Sequence, residues 1–355
     1  MTDCIIVGGG LIGMLSAREL SKAGLDVLLL EKGRLGGESS WAGGGILSPL
    51  HPWHYCDEVN ELASIGHKGY AQLAGELFEQ STVDPEYIQC GMLVLHSASQ
   101  QSDRLPAAQS WADKWEMNFS AINSHNELQA IAPGLSTHWK HGYWMPEIAQ
   151  MRNPRLVKSV RGSLDSLGIC YKENVQVDGL NVVNGRIKGV HAEGKHYNAN
   201  HVLVTGGAWS AQILEPCQQP LPDISPVKGQ MVLFKGQPGQ LKTILLAENR
   251  YLIPRKDGRI LCGSTIEHSG FDKSISEDIK QELVDSATAL FPELQNLTVE
   301  HHWSGLRPGS PQGVPYIGRH GEIDGLFINA GHFRNGVILG YGSAQRVAEM
   351  ITSDR

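Results

Sequence analysis

Cys4-Ile5-Ile6-Val7-Gly8-Gly9-Gly10-Leu11-Ile12-Gly13 decides the reading of the chain. Its apolar start has the character of a buried parallel strand, three glycines stop it, and a helical pattern follows from Met14 to Ala23. The spacing Gly8-x-Gly10-x-x-Gly13 is the dinucleotide-binding fingerprint. One glycine permits the tight turn, one lets the backbone approach a pyrophosphate, and one lets helix and strand pack closely. The first helical N–H groups, at Leu11 and Ile12, then point with the positive helix end at the phosphates. A second strand from Asp26 to Leu30 ends in Glu31, 18 residues after Gly13, where an acid hydrogen-bonds the ribose hydroxyls of an adenosine. Strand, glycine turn, helix, strand and acid together predict an ADP-containing cofactor.

Working outward, Lys32 leads into Gly33-Arg34-Leu35-Gly36-Gly37-Glu38-Ser39-Ser40-Trp41-Ala42-Gly43-Gly44-Gly45-Ile46, too polar and too small for core. Such a stretch lets N–H groups and hydroxyls approach a ligand, so Lys32, Ser39, Ser40, Gly44, Gly45 and Ile46 are candidate cofactor contacts. A surface loop without a ligand is the other reading. Residues 58–78 and 107–116 read as amphipathic helices and 84–96 as a strand pair. At Asn153-Pro154 a polar cap and a proline predict a helix running to Leu167. Short β segments fill 169–205, with a hairpin at Asn184-Gly185. Val202 to Val204 then enters the turn Thr205-Gly206-Gly207-Ala208-Trp209, which, with Val175, is expected to close over the adenosine end.

Between 226 and 265 the pattern becomes antiparallel β, with a turn at Asp257-Gly258, and a helix follows over 276–290. The last residues repeat the strand, glycine turn and helix of the start, with a strand from Leu326 to Ala330, the turn Gly331-His332-Phe333-Arg334-Asn335-Gly336, and a helix from Val337. This predicts a discontinuous nucleotide domain (1–80, 150–215 and 305–355) and a sheet-based substrate domain (81–149 and 216–304).

Arg307 stands between Leu306 and Pro308 in a stretch of small and apolar residues, a poor setting for a solvated charge. Its rigid fork suits a substrate carboxylate bound bidentately; a structural pairing with an Asp or Glu is the alternative. Tyr251 is positioned to aim a phenol hydroxyl at the same group, or simply to pack. The closing helix carries Arg334 and no acid at its start, and a positive end of that kind favours an anionic reduced flavin over a nicotinamide. His332 in that turn touches the ring or acts only through its backbone.

Composition narrows the field. A net charge of −7 argues against a nucleic acid as main partner. No apolar run approaches the length of a membrane span, and the glycine-broken start lacks a basic leader, so a cytoplasmic enzyme is expected. The six cysteines, at 4, 56, 90, 170, 217 and 262, form no C-x-x-C pair and read as buried thiols. His301-His302 has no partners at ligand spacing, so no metal is expected. No G-x-S-x-G elbow supports a serine nucleophile.

These pieces together resemble the flavin-dependent amine oxidases of the D-amino acid oxidase group, most closely their glycine-oxidising branch in bacterial thiamine biosynthesis. Beyond the fingerprint, the markers are Val227-Lys228-Gly229, Tyr251-x-Ile253-Pro254-Arg255-Lys256-x-Gly258-Arg259, Gly305-Leu306-Arg307-Pro308-Gly309, Pro315-Tyr316-Ile317-Gly318-Arg319 and Ala330 to Gly336. The likeness implies an α/β fold with an FAD-binding Rossmann-like domain of the glutathione-reductase/p-hydroxybenzoate-hydroxylase type. An α+β antiparallel-sheet domain would cover the flavin. It implies that Arg307 holds the carboxylate, that Tyr251 assists, and that Arg334 lies at the flavin and substrate end. It adds Gly305, His332, Phe333, Asn335, Gly336, Val337 and Ile338 to the cofactor contacts. Ile46 replaces a methionine frequent in the family, Asn249 a histidine and Ile266 another methionine, which leaves glycine, sarcosine and small D-amino acids as substrates. No cysteine lies between Arg307 and Gly336, which favours noncovalent FAD. Dioxygen as acceptor, yielding hydrogen peroxide, and a homo-oligomer fit the same likeness. A dehydrogenase using another acceptor, a tRNA-modifying relative and a flavin- or nucleotide-binding module without turnover are the rivals.

Overall fold

The computed structural model describes residues 2–215 and 222–354; the expected boundary at 215/216 and Cys217 touch residues outside that set. The first strand, Thr2–Val7, is sandwiched between two parallel neighbours, so Ile5 faces Leu28 on one side and Val202 on the other. Burial on both faces is why this run is uniformly apolar rather than alternating. The parallel core continues with Leu326–Ala330 beyond 195–204 and Cys170–Lys172 beyond 27–30, giving the order 316–319, 326–330, 195–204, 2–7, 27–30, 170–172. The chain's last strand thus lies two places from its first.

The helices Leu11–Lys22, Asp57–Ser81, Asn153–Ser166 and Gly336–Thr352 share one core with this sheet, in which Met14, Leu62, Val160 and Leu339 are fully or almost fully buried. A hairpin, 177–183 with 186–192, turns at Asn184-Gly185 as expected and helps cover the other face.

A second sheet runs in the order 299–309, 225–234, 260–263, 250–254, 244–247, 92–96, 141–145, 120–122. It is antiparallel except where Ile244–Ala247 lies parallel to Met92–His96. Segment 84–96 is not a strand pair. Ile88–Gln89 pairs with Ala149–Gln150 in a separate ribbon, while Met92–His96 joins the large sheet. The helix expected at 107–116 begins at Ala98, where Ser97 and Gln100 form a reciprocal capping box. Cys4 and Cys262 are buried thiols, but Cys170 is exposed on its edge strand and Cys56 and Cys90 are half-buried. Among the described residues no helix is long and apolar enough to cross a membrane.

Candidate active site

In the glycine turn Gly8 and Gly13 must be small because the chain itself fills the space beside them. Gly8 has φ +112°, and a Cβ there would lie 2.6 Å from the Thr205 carbonyl oxygen. A Cβ on Gly13 would overlap the Gly8 carbonyl and sit 2.7 Å from the Thr205 hydroxyl, so this glycine seats the helix on the turn. Gly10 is different: its nearest neighbour would be the Ser40 hydroxyl at 3.3 Å, and it lines an open cavity. The Ser40 hydroxyl accepts from the Leu11 N–H at 2.8 Å, which caps the helix start and ties the 39–46 segment to the fingerprint. Glu31 accepts from Gly9 N–H (2.7 Å) and Gly33 N–H (2.8 Å), one on each carboxylate oxygen. It therefore fixes the turn it was expected to serve only as a ribose contact. Second lone pairs on both oxygens remain for hydroxyls.

The cavity, of about 650 Å³, runs from Glu31 and Val175 to Tyr251 and Arg307, and both sheets contribute to its wall. It gathers Gly8, Gly10, Leu11, Ile12, Lys32, Ser39, Ser40, Gly44, Gly45, Ile46, Thr205, Gly206, Trp209, Gly305, His332, Phe333, Arg334, Gly336 and Val337 as well. Gly13, Asn335 and Ile338, which the sequence placed on the cofactor, do not line it. Gly13 packs as described, Asn335 is buried in the turn, and Ile338 is wholly core. Lys32 stands 3.4 Å over the Trp209 ring, whose neighbour is Phe271 at 5.3 Å, so an aromatic and a cation flank the Glu31 end of the cavity.

At the other end Arg307 rises from the long strand Val299–Gly309, paired with Val227. Its Nη1 donates to the carbonyls of Thr265 (3.2 Å) and Lys228 (3.4 Å), its Nη2 to the Ser264 hydroxyl (2.6 Å). Its guanidinium occupies the space a Cβ on Gly229 would need, which explains the glycine after Lys228. No carboxylate of the described residues lies within ion-pair distance, so the structural pairing considered for this arginine is absent. Burial pushes its pKa down; the Tyr251 hydroxyl beside it works against that, and Arg334 adds to it. Arg334 also lacks an acidic partner among the described residues, and its buried Nη2 has no protein acceptor there. Two cationic forks that line one cavity, neither ion-paired among the described residues, form a receptor for anions at that end. His332 is held neutral, its pKa pushed down to about 3 by burial, with Nε2 3.0 Å from the Ser343 hydroxyl.

The sequence reading missed Ser264, Met231, Asn153 and Gln212 in the cavity wall. Asn153 is not the helix cap its Asn-Pro context predicts: its amide donates to the Ser40 carbonyl at 2.8 Å, bracing the cofactor segment. Asn249 and Ile266 are exposed and do not line the cavity, whereas Ile46 does. A histidine does reach the Asn249 turn, from elsewhere: His51 Nε2 donates to the Glu248 carbonyl at 2.9 Å. Among the described residues no cluster of three or more histidines, cysteines or acids is arranged to hold a metal.

Comparison with known proteins agrees with this geometry. The family model described as FAD dependent oxidoreductase, DAO, matches residues 3–350. A glycine oxidase of Pseudomonas putida is 42% identical over 98% of this chain and 94% of its own length. A bifunctional ThiO/ThiG protein of Nostoc is 28% identical over 99% of this chain, which spans 53% of that longer protein. The crystal structure of glycine oxidase from Geobacillus kaustophilus superposes with a TM-score of 0.93 at 27% identity, covering 99% of this chain and 94% of that one. From the fingerprint at its start to the closing helix at its end, the chain belongs to the DAO family of FAD-dependent oxidoreductases.

Proposed function

We propose that this protein oxidises glycine and other small amino acids and amines, sarcosine and D-alanine among them, to the 2-oxoacid (glyoxylate from glycine) and ammonia or a primary amine. The observation that carries the reading is Arg307, a half-buried guanidinium without an acid among the described residues, beside Tyr251 at one end of a cavity whose other end is the glycine turn and Glu31.

The residues present fit FAD. Gly10 leaves room for a pyrophosphate, the helix start presents the Ile12 N–H while that of Leu11 is taken by Ser40, Glu31 offers lone pairs to the ribose, and Arg334 has an unpartnered buried nitrogen at the far end. When bound, FAD supplies a two-electron acceptor for a hydride from the substrate α-carbon. Segments 1–80, 150–215 and 305–355 would form the cofactor lobe, with 81–149 and 216–304 as the substrate lobe. Absence of a cysteine between Arg307 and Gly336 supports noncovalent binding.

The chain's own part is binding and orientation. Arg307 grips the carboxylate, the Tyr251 hydroxyl donates to it, and the half-buried cations Arg307 and Arg334 discourage protonation of the amine. A neutral amine keeps its lone pair available as the C–H bond breaks. No side chain acts as nucleophile. The imine formed hydrolyses in water. Dioxygen is the proposed final acceptor, giving hydrogen peroxide, and the cytoplasm, with thiamine biosynthesis, the proposed setting.

Incubation of the purified protein with glycine, sarcosine and D-alanine tests this. Equal yields of glyoxylate, ammonia and peroxide from glycine are expected. Oxidation only when a dye replaces dioxygen would overturn the oxidase assignment, and no turnover of any of the three would overturn the reading as a whole.

A further inference from the structure

Arg255 follows the strand Arg250–Pro254, in the turn that leads to Ile260–Gly263, yet it makes no contact with solvent of any consequence: it is 7% exposed. Among the described residues no acid lies within ion-pair distance of it. Glu86, which acts on it electrostatically, is instead engaged by Arg152 (3.4 Å) and Arg155 (3.2 Å). Burial and the nearby Arg152 push the Arg255 pKa down to about 10. Its guanidinium donates only to neutral oxygens: the Gly44 carbonyl (2.7 Å), the Met151 carbonyl (3.1 Å) and the Gln150 side-chain oxygen. Gln150 is itself fixed by donating to the Pro254 carbonyl.

The carbonyl of Gly44 belongs to the same peptide group as the N–H of Gly45. Among the described residues that N–H has no acceptor, and neither has the N–H of Gly44. Both glycines line the cavity, and Gly44 packs against the Tyr251 ring and hydroxyl, which a Cβ there would approach to 3.3 Å. Gly45 has φ +79°, with its carbonyl bonded to Met151 N–H at 2.9 Å and Leu47 N–H bonded to the Ala149 carbonyl at 2.9 Å. The peptide is thus clamped with its oxygen on a cation and its N–H unused at the cavity wall. A positive charge on a peptide oxygen strengthens the donor at the other end of that peptide.

We propose that Arg255 is a positioning residue of the oxidation. Through the Gly44–Gly45 peptide it presents a polarised N–H and a fixed positive potential to the flavin, favouring the negative charge that reduction brings. The proposal rests on the cavity's being the flavin site. A purely structural tie between the two sheets would hold the same contacts without influencing the cofactor's electron affinity.

The test uses the holoenzyme and two flavin readouts: reversible sulfite addition and the midpoint potential. Arg255→Gln is expected to weaken sulfite addition at least tenfold and to lower the potential by about 30 mV, the same tenfold change for a two-electron couple. Arg255→Lys keeps the charge but has no planar fork to span Gly44, Met151 and Gln150. It is expected to lie between, two- to fivefold weaker for sulfite, with a shifted visible band. A Gln variant that retains FAD with parental potential and sulfite affinity overturns the role of Arg255 and leaves the cavity's assignment standing. If the Gln variant does not accumulate, a Lys variant with parental spectrum and sulfite affinity overturns it equally. A parent protein without FAD would overturn the assignment of the cavity itself.

Discussion

Replacing Arg307 by lysine isolates the carboxylate clamp. A guanidinium has five N–H donors. Nη1 spends both of its own on the carbonyls of Thr265 and Lys228, and Nη2 spends one on the Ser264 hydroxyl. The Nε–H and the second Nη2–H are not spent on these three, and the Tyr251 hydroxyl hydrogen-bonds the same guanidinium. A guanidinium edge matches the two oxygens of a carboxylate. Lysine retains the charge but reaches one oxygen at best, so one charge-assisted hydrogen bond of about 1.5–3 kcal/mol is lost. In kcat/KM this is roughly a 10- to 150-fold fall, carried mainly by KM because the bond is made in ground and transition states alike. Steady-state kinetics with glycine and with a glycine ester separates the cause. The ester has no carboxylate to grip and is expected to lose well under tenfold. Unchanged kinetics with glycine, or equal losses with acid and ester, would refute the reasoning.

Other residues give independent expectations. Glu31→Gln removes an acceptor from either Gly9 or Gly33, leaving an N–H unpaired at a cost of about 1–3 kcal/mol, and FAD should dissociate roughly tenfold more readily, read by its fluorescence on release. Gly13→Ala forces a methyl onto the Gly8 carbonyl; overpacking of about 1–3 kcal/mol should lower the thermal midpoint, whereas helix propensity alone would raise it. His96 and His332 are almost wholly buried, and burial pushes each down to about 3. The unfolded chain takes up their protons near pH 6.5 and the folded one does not, so stability falls as pH drops from 6.5 toward 3, by up to about 1.4 kcal/mol per pH unit for each. Urea denaturation between pH 7 and 4 measures this, and His96→Asn should flatten the slope.

Local chemistry made the cradle legible. Three glycines at fixed spacing and an acid after the second strand predict a turn and a ligand with little help from the rest of the chain, and Gly8, Gly10 and Glu31 all line the cavity. Arg307 was suspect because small and apolar neighbours give a charge nowhere to go, and the described residues supply no acid. Ser264, Asn153 and Arg255 escaped for one shared reason: their meaning comes from partners far along the chain. Ser264 meets Arg307 only because 225–234 pairs with both 260–263 and 299–309. Asn153 looks like a cap until its amide is seen on the Ser40 carbonyl, 113 residues away. Arg255 reaches Gly44 across 211 residues. Asn335 and Ile338 do not line the cavity: Asn335 is buried in its turn and Ile338 belongs to the core.

The central claim is that a flavin in the cradle faces a clasp for small zwitterions. Anaerobic mixing of the holoenzyme with glycine, followed in the visible flavin band, tests it most directly. The account predicts that the band bleaches on mixing and returns when air is admitted. A protein that binds no flavin, or a flavin band that glycine, sarcosine and D-alanine all leave unchanged, would contradict it.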